Sequence, residues 1–251
     1  MMRKIVAVLL MMLGAVTGKV MAFDLCSPNE EYKEISSLAT DELIVILQSA
    51  VLDKRTIAAC ILGERKDGKA VEPLIQVLKN EYWKVRYQAV LALGQIKEPR
   101  AVEPLIQQLG DNDWRVRRAV AASLGQFKDL RAAEPLIQRL ADKDSDVRQV
   151  VAQALGQISV PRAVEPLIQR LADWNDEVRQ AVARSLGQIK DHRAIEPLIQ
   201  RLGDENLEVR RAAAKALEMF GEPLGWLVVN ALQNNENALK KLAEKKRHSR
   251  R

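Results

Sequence analysis

Residues 101–131 read AVEPLIQQLGDNDWRVRRAVAASLGQFKDLR, and residues 132–162 read AAEPLIQRLADKDSDVRQVVAQALGQISVPR. The same frame extends in both directions. Glu-Pro-Leu-Ile opens at Glu72, Glu103, Glu134, Glu165 and Glu196, each 31 residues after the last. Val-Arg recurs at Val85, Val116, Val147, Val178 and Val209, and Leu-Gly at Leu62, Leu93, Leu124, Leu155 and Leu186. A fixed period of this length marks a stack of small units, none of which can cover its own apolar face without its neighbours.

Each copy predicts two helices. In the 101–131 copy the first covers about Ala101 to Leu109, with Pro104 early, where a missing N–H costs least. Leu105, Ile106 and Leu109 supply a half-buried apolar stripe. Asp111-Asn112-Asp113 breaks the chain, and Asp113 is placed to cap the second helix. That capping column reads Tyr82, Asp113, Asp144, Asn175, Asn206, four of them good N-caps. The second helix covers about Trp114 to Phe127 and buries Val116, Val120, Ser123, Leu124 and Phe127. Gly125, in its last turn, serves either close packing or chain exit.

The fold expected is therefore all-α: a right-handed solenoid of about six helix pairs plus a closing helix. Residues 41–69 keep the register but lose the Glu-Pro pair and read as an N-terminal cap. The repeats follow at 70–100, 101–131, 132–162, 163–193 and 194–221. Residues 222–232, with Glu222-Pro223-Leu224, read as a C-terminal capping helix, and 233–251 as a disordered basic tail.

The pattern of Asp, Val-Arg, Ala, Leu-Gly and Ala-Val-Glu-Pro-Leu over residues 41–232 resembles the HEAT-like repeats of the PBS (bilin) lyase type. The resemblance implies an armadillo-like helical solenoid. It does not by itself imply an activity, since one fold hosts many. It implies in addition that the second helices line the concave surface. HEAT-like deoxyhypusine hydroxylases hold iron through His-Glu pairs, and this sequence has none; its two histidines are His192 and His248. No catalytic residue, metal ligand or cofactor is assigned.

Other features bear on compartment and partner. Arg3 and Lys4 precede an apolar stretch from Ile5 to Val16, and Val20-Met21-Ala22 offers small residues for cleavage. Residues 1–22 thus read as a signal peptide, with an uncleaved membrane anchor as the alternative. Residues 23–40 read as a linker, and the mature protein as exported, periplasmic or secreted. In that setting Cys26 and Cys60 can pair in a disulfide. The net charge of +6 is concentrated at the two ends, and residues 23–239 alone come to −3. A mildly acidic body argues against nucleic acid, which requires a basic face.

Two sets of side chains stand out. Arg55, Arg86, Arg117, Arg148, Arg179 and Arg210 occupy one column in the first turn of the second helices, where a cation opposes the helix dipole unless paired. Asn80, Asp111, Asp142, Asp173 and Asp204 form the parallel column at the inter-helix turn, so the two are read as a structural ladder. Three further columns differ from copy to copy: Lys84, Arg115, Asp146, Glu177, Glu208; then Tyr87, Arg118, Gln149, Gln180, Arg211; then Leu91, Ala122, Gln153, Arg184, Lys215. Their spacings of three and four place them on one side of each second helix. This side is the expected contact surface for another protein, its first column passing from basic to acidic. The alternative is an accessory or chaperone role resembling bilin lyases, holding a chromophore or its acceptor protein. Trp83 and Trp114 share a column and are read as covering the end of the first helix. Trp174 lies in the same turn but outside that column, and Trp226 is placed on the C-terminal cap.

Overall fold

The computed structural model describes residues 30–221. Within them the chain is all-α, with thirteen α-helices joined by short turns and no strand. An entry helix α1 (Glu30–Ser36) precedes six antiparallel pairs: α2 (Thr40–Ile46) with α3 (Leu52–Arg65), α4 (Val71–Val77) with α5 (Trp83–Ile96), α6 (Val102–Gln107) with α7 (Trp114–Phe127), α8 (Ala133–Arg139) with α9 (Ser145–Ile158), α10 (Val164–Arg170) with α11 (Asp176–Ile189), and α12 (Ile195–Arg201) with α13 (Leu207–Glu218). The expected closing helix, the basic tail, Trp226 and the leader all lie outside the described residues.

From the second pair on, the first helix is entered through a 3-10 turn and carries proline in its own first turn, as at Pro104 in α6. Proline fits there because that N–H has no intrahelical acceptor. The second helices start where a side chain takes over the unsatisfied N–H groups. Asp113 accepts from the Arg115 backbone, Asp144 from Asp146 and Val147, Asn175 from Val178, and Asn206 from Glu208 and Val209. Tyr82 offers no such side-chain bond to α5. Helices α3, α5, α7, α9 and α11 end on a left-handed residue: Lys66, Lys97, Lys128, Ser159 or Lys190, with φ between 54° and 60°.

Gly125 therefore serves packing and not chain exit, which falls to Lys128 three residues later. A Cβ on Gly125 would lie 2.9 Å from the Ala154 Cα of the next second helix and 2.5 Å from Gln157 Oε1. Gly63, Gly94, Gly156 and Gly187 meet the following helix in the same way. Opposite them stand Ala92, Ser123, Ala154, Ser185 and Ala216, all small. At Ser185 the hydroxyl crosses the gap to donate to Ala152 O at 2.7 Å. Second helices thus pack mainly on one another, while first helices meet the next repeat largely through its 3-10 turn.

Two leucine columns form the spine of the core. Leu43, Leu74, Leu105, Leu136, Leu167 and Leu198 come from the first helices; Leu62, Leu93, Leu124, Leu155, Leu186 and Leu217 come from the second. All are fully buried. At about 1.5–3 kcal/mol for each such side chain removed from water, this paired spine is a major favourable contribution to stacking.

Candidate functional site

The arginine column and the aspartate column meet, and they meet between repeats. Arg117 on α7 donates from Nε and Nη2 to the two carboxylate oxygens of Asp142, both at 2.8 Å. Its Nη1 turns back to its own inter-helix turn and donates to Asp111 O at 2.9 Å. Arg86–Asp111, Arg148–Asp173 and Arg179–Asp204 repeat this fork. Each aspartate in turn accepts the backbone N–H two residues on, as Asp142 does from Asp144. The first-turn cation that would oppose the helix dipole is thus fully engaged.

Burial pushes the carboxyls of Asp142 and Asp173 up. The arginine forks, the backbone N–H groups and the arginine charges outweigh it and hold both below the ordinary carboxylate value. The guanidinium groups of Arg86, Arg117 and Arg179 are raised, chiefly by the hydrogen bonds to their aspartates.

The column stops pairing in this way at its leading end. Opposite Arg55 stands Asn80, an amide in place of the carboxylate, and the Arg55 Nε is buried with no hydrogen-bond acceptor among the described residues. Arg55 lies instead 5.5 Å from the Tyr82 ring. Arg210 donates to Asp204 O and Glu205 O within its own turn.

The three variable columns occupy the side of the second helices that turns away from the first. Their exposure grows along the molecule. On α5 and α7 the stripe is largely covered: Tyr87 is only 5% exposed, and Lys84, Leu91, Arg115, Arg118 and Ala122 are half-buried. Tyr87 therefore cannot offer itself to a partner as its column position implied. Its ring packs edge-on against Trp83, and the Arg115 guanidinium lies 3.5 Å over the Trp83 ring while forking onto Asp113. Trp83 thus binds a neighbouring repeat's arginine as well as covering core. On α9, α11 and α13 the stripe opens: Asp146, Gln153, Glu177, Arg184, Glu208, Arg211 and Lys215 are exposed, with Gln149 and Gln180 half-buried between them. Glu208 and Arg211 are bridged at 2.6 Å, an exposed pair worth little to stability.

One exposed column escapes a search for variation because it does not vary. Gln95, Gln126, Gln157 and Gln188 are all exposed, four residues beyond the third variable column and on the same stripe. The side chains of Gln95, Gln157 and Gln188 reach back over Gly63, Gly125 and Gly156 of the preceding helices. Their helical spacing was the available signal.

Cys60 is buried on α3 and is not a free thiol; Cys26, its proposed partner, lies outside the described residues. His192 is exposed in an inter-repeat turn beside Phe220. Among the described residues no three His, Cys, Asp or Glu side chains gather as metal ligands would, and no helix is long and apolar enough to cross a membrane.

Comparison with known proteins adds family information. The HEAT-repeat family model matches residues 40–109, 102–173 and 164–244. A solved complex of CpcE and CpcF of phycocyanin lyase from Nostoc sp. PCC7120 contains a chain 30% identical to this one, with a TM-score of 0.57, covering 83% of this chain and 86% of that one. An engineered protein matches at 24% identity and a TM-score of 0.58, over 72% of this chain and 96% of its own. A designed armadillo repeat protein in complex with the peptide (KR)4 matches at 19% identity and a TM-score of 0.57, over 73% and 100%. A comparison with curated proteins finds no match.

Proposed function

Because the chain belongs to the HEAT-repeat family, we propose that it is a protein-interaction scaffold whose partner lies along the open stripe of α9, α11 and α13. The observation that carries this reading is the contrast within each of these helices. Val147, Val178 and Val209 are fully buried, and the position is valine in each copy from Val85 to Val209. One position earlier, Asp146, Glu177 and Glu208 stand in water, and seven positions further on Gln153, Arg184 and Lys215 do the same. A rigid stack presenting side chains in fixed register needs little ordering on binding, which favours affinity for a partner of matching shape. The stripe carries both signs of charge, so it selects a partner by the order of its charges.

The test is the double charge reversal Glu177→Lys/Arg184→Glu. Both residues are exposed, so melting and helicity should stay as in the parent protein. Partners captured by the parent from an envelope fraction should be lost. Full retention of those partners by the double variant would remove this face from consideration. We further propose that the chain works outside the cytoplasm, on the strength of its first 22 residues; reading the N-terminus of the mature protein tests this.

The resemblance to a phycocyanin lyase chain favours a second reading, in which the stack holds a bilin or the protein that receives one. It expects a shifted absorption band when the purified chain is mixed with a free bilin. An unchanged spectrum would leave the protein-only scaffold.

A further inference from the structure

Trp174 is 76% exposed, at a position of the inter-helix turn where the other copies carry Glu81, Asn112, Lys143 and Glu205. A large indole left in water at a turn that is elsewhere polar is unusual, and tryptophan is over-represented among residues that dominate binding. It borders a cleft of about 370 Å³ lined by Trp174, Asp176, Arg179, Glu205 and Asn206. The charges inside are unequal. The Arg179 guanidinium is already forked onto Asp204 at 2.9 and 3.0 Å. Glu205 approaches it only at 3.5 Å and keeps 90% of its side chain in solvent. Asp176 accepts from the Asn206 amide and feels the Arg179 charge, but has no ion-pair contact among the described residues, so the cleft carries two carboxylates beside one guanidinium that is already forked.

The same protein shows what such an arrangement holds. At Trp83 a guanidinium, that of Arg115, lies 3.5 Å over the indole and forks onto the carboxylate of Asp113. At Trp174 the indole and the carboxylates are present, and Arg148 stands 5.2 Å from the ring, engaged with Asp173. The rest of the indole is open to solvent, and no described residue supplies a second guanidinium to it.

We propose that Trp174, Asp176 and Glu205 form a docking point for an arginine side chain of a protein partner, on the turn edge of the stack and separate from the open helix stripe. The indole stacks on the planar guanidinium and the carboxylates accept its N–H groups, a combination that lysine, with a compact ammonium, matches less well.

The test uses the full chain and three short capped peptides, Gly-Arg-Gly, its citrulline counterpart and Gly-Lys-Gly, followed by the Trp174 indole N–H resonance. That resonance is assigned by its loss in Trp174→Ala. The arginine peptide should shift it saturably, and citrulline, of the same shape without charge, should bind about tenfold more weakly. Lysine should fall between them, and Glu205→Gln should weaken arginine binding with an unchanged melting curve. An absent shift, or equal shifts from arginine and citrulline, overturns the proposal. Because neither Trp174 nor Glu205 lies on the open stripe, these results are independent of the Glu177/Arg184 experiment.

Discussion

At the scale of single residues, the forked aspartates are where the molecule has most to lose. Asp173 and Arg148 keep only 2% and 5% of their side chains in solvent. Asp173→Asn removes the charge that compensates a buried guanidinium, and breaking such a pair from one side costs about 3 kcal/mol or more. Chemical denaturation should show it. The same group sets an acid limit. The Asp142 and Asp173 carboxyls lie below their unfolded-state value in the folded chain, so their contribution is complete above the ordinary carboxylate range near pH 4 and is lost as pH falls through their lower folded values. A melting series from pH 7 to pH 2 should be flat at first and then fall, and Asp173→Asn should flatten the fall. Asn80→Asp is the converse: it would give Arg55 the carboxylate its column has elsewhere and should raise stability by about 1 kcal/mol or more.

At the scale of helices, much was legible because periodic packing writes itself into periodic sequence. The helix starts at Trp114, the N-caps Asp113, Asp144, Asn175 and Asn206, and the buried Val and Leu columns follow from spacing alone. What spacing could not reveal was how far a variable position is covered by its neighbours. Tyr87 shares a column with exposed Arg211, yet it joins the core cluster and Trp83 packs edge-on against it. Nor could it separate the two readings of Gly125, since a last-turn glycine suits an exit as well as a contact. The structure assigns the contact, and the assignment is testable. Gly125→Ala gains about 1 kcal/mol of helix propensity but sets a methyl 2.9 Å from the Ala154 backbone. Overpacking of about 1–3 kcal/mol should win, and the melting temperature should fall. Gly110→Ala, whose Cβ would meet nothing nearer than 3.9 Å, is the control and should not lower it.

At the scale of the whole molecule, stability is a sum over units and the joints between them. Excising residues 132–162 brings Arg117 into the register of Asp173, restores the 25-residue spacing and rejoins a small residue to Gly125. The shortened chain should fold, melt cooperatively at a lower temperature, and show a smaller denaturant slope in proportion to its lost surface. A chain that fails to fold would mean that the repeats are not interchangeable.

The forks also have a direction. Arg86, Arg117, Arg148 and Arg179 each reach toward the following unit, so a leading end that offered a carboxylate could receive a guanidinium of another copy, and the contact could repeat without limit. Here the corresponding positions at the leading end are Ser49 and then Asn80, the former already accepting the Val51 N–H. An incoming guanidinium finds no negative charge at either place, which disfavours growth of the stack into a fibre.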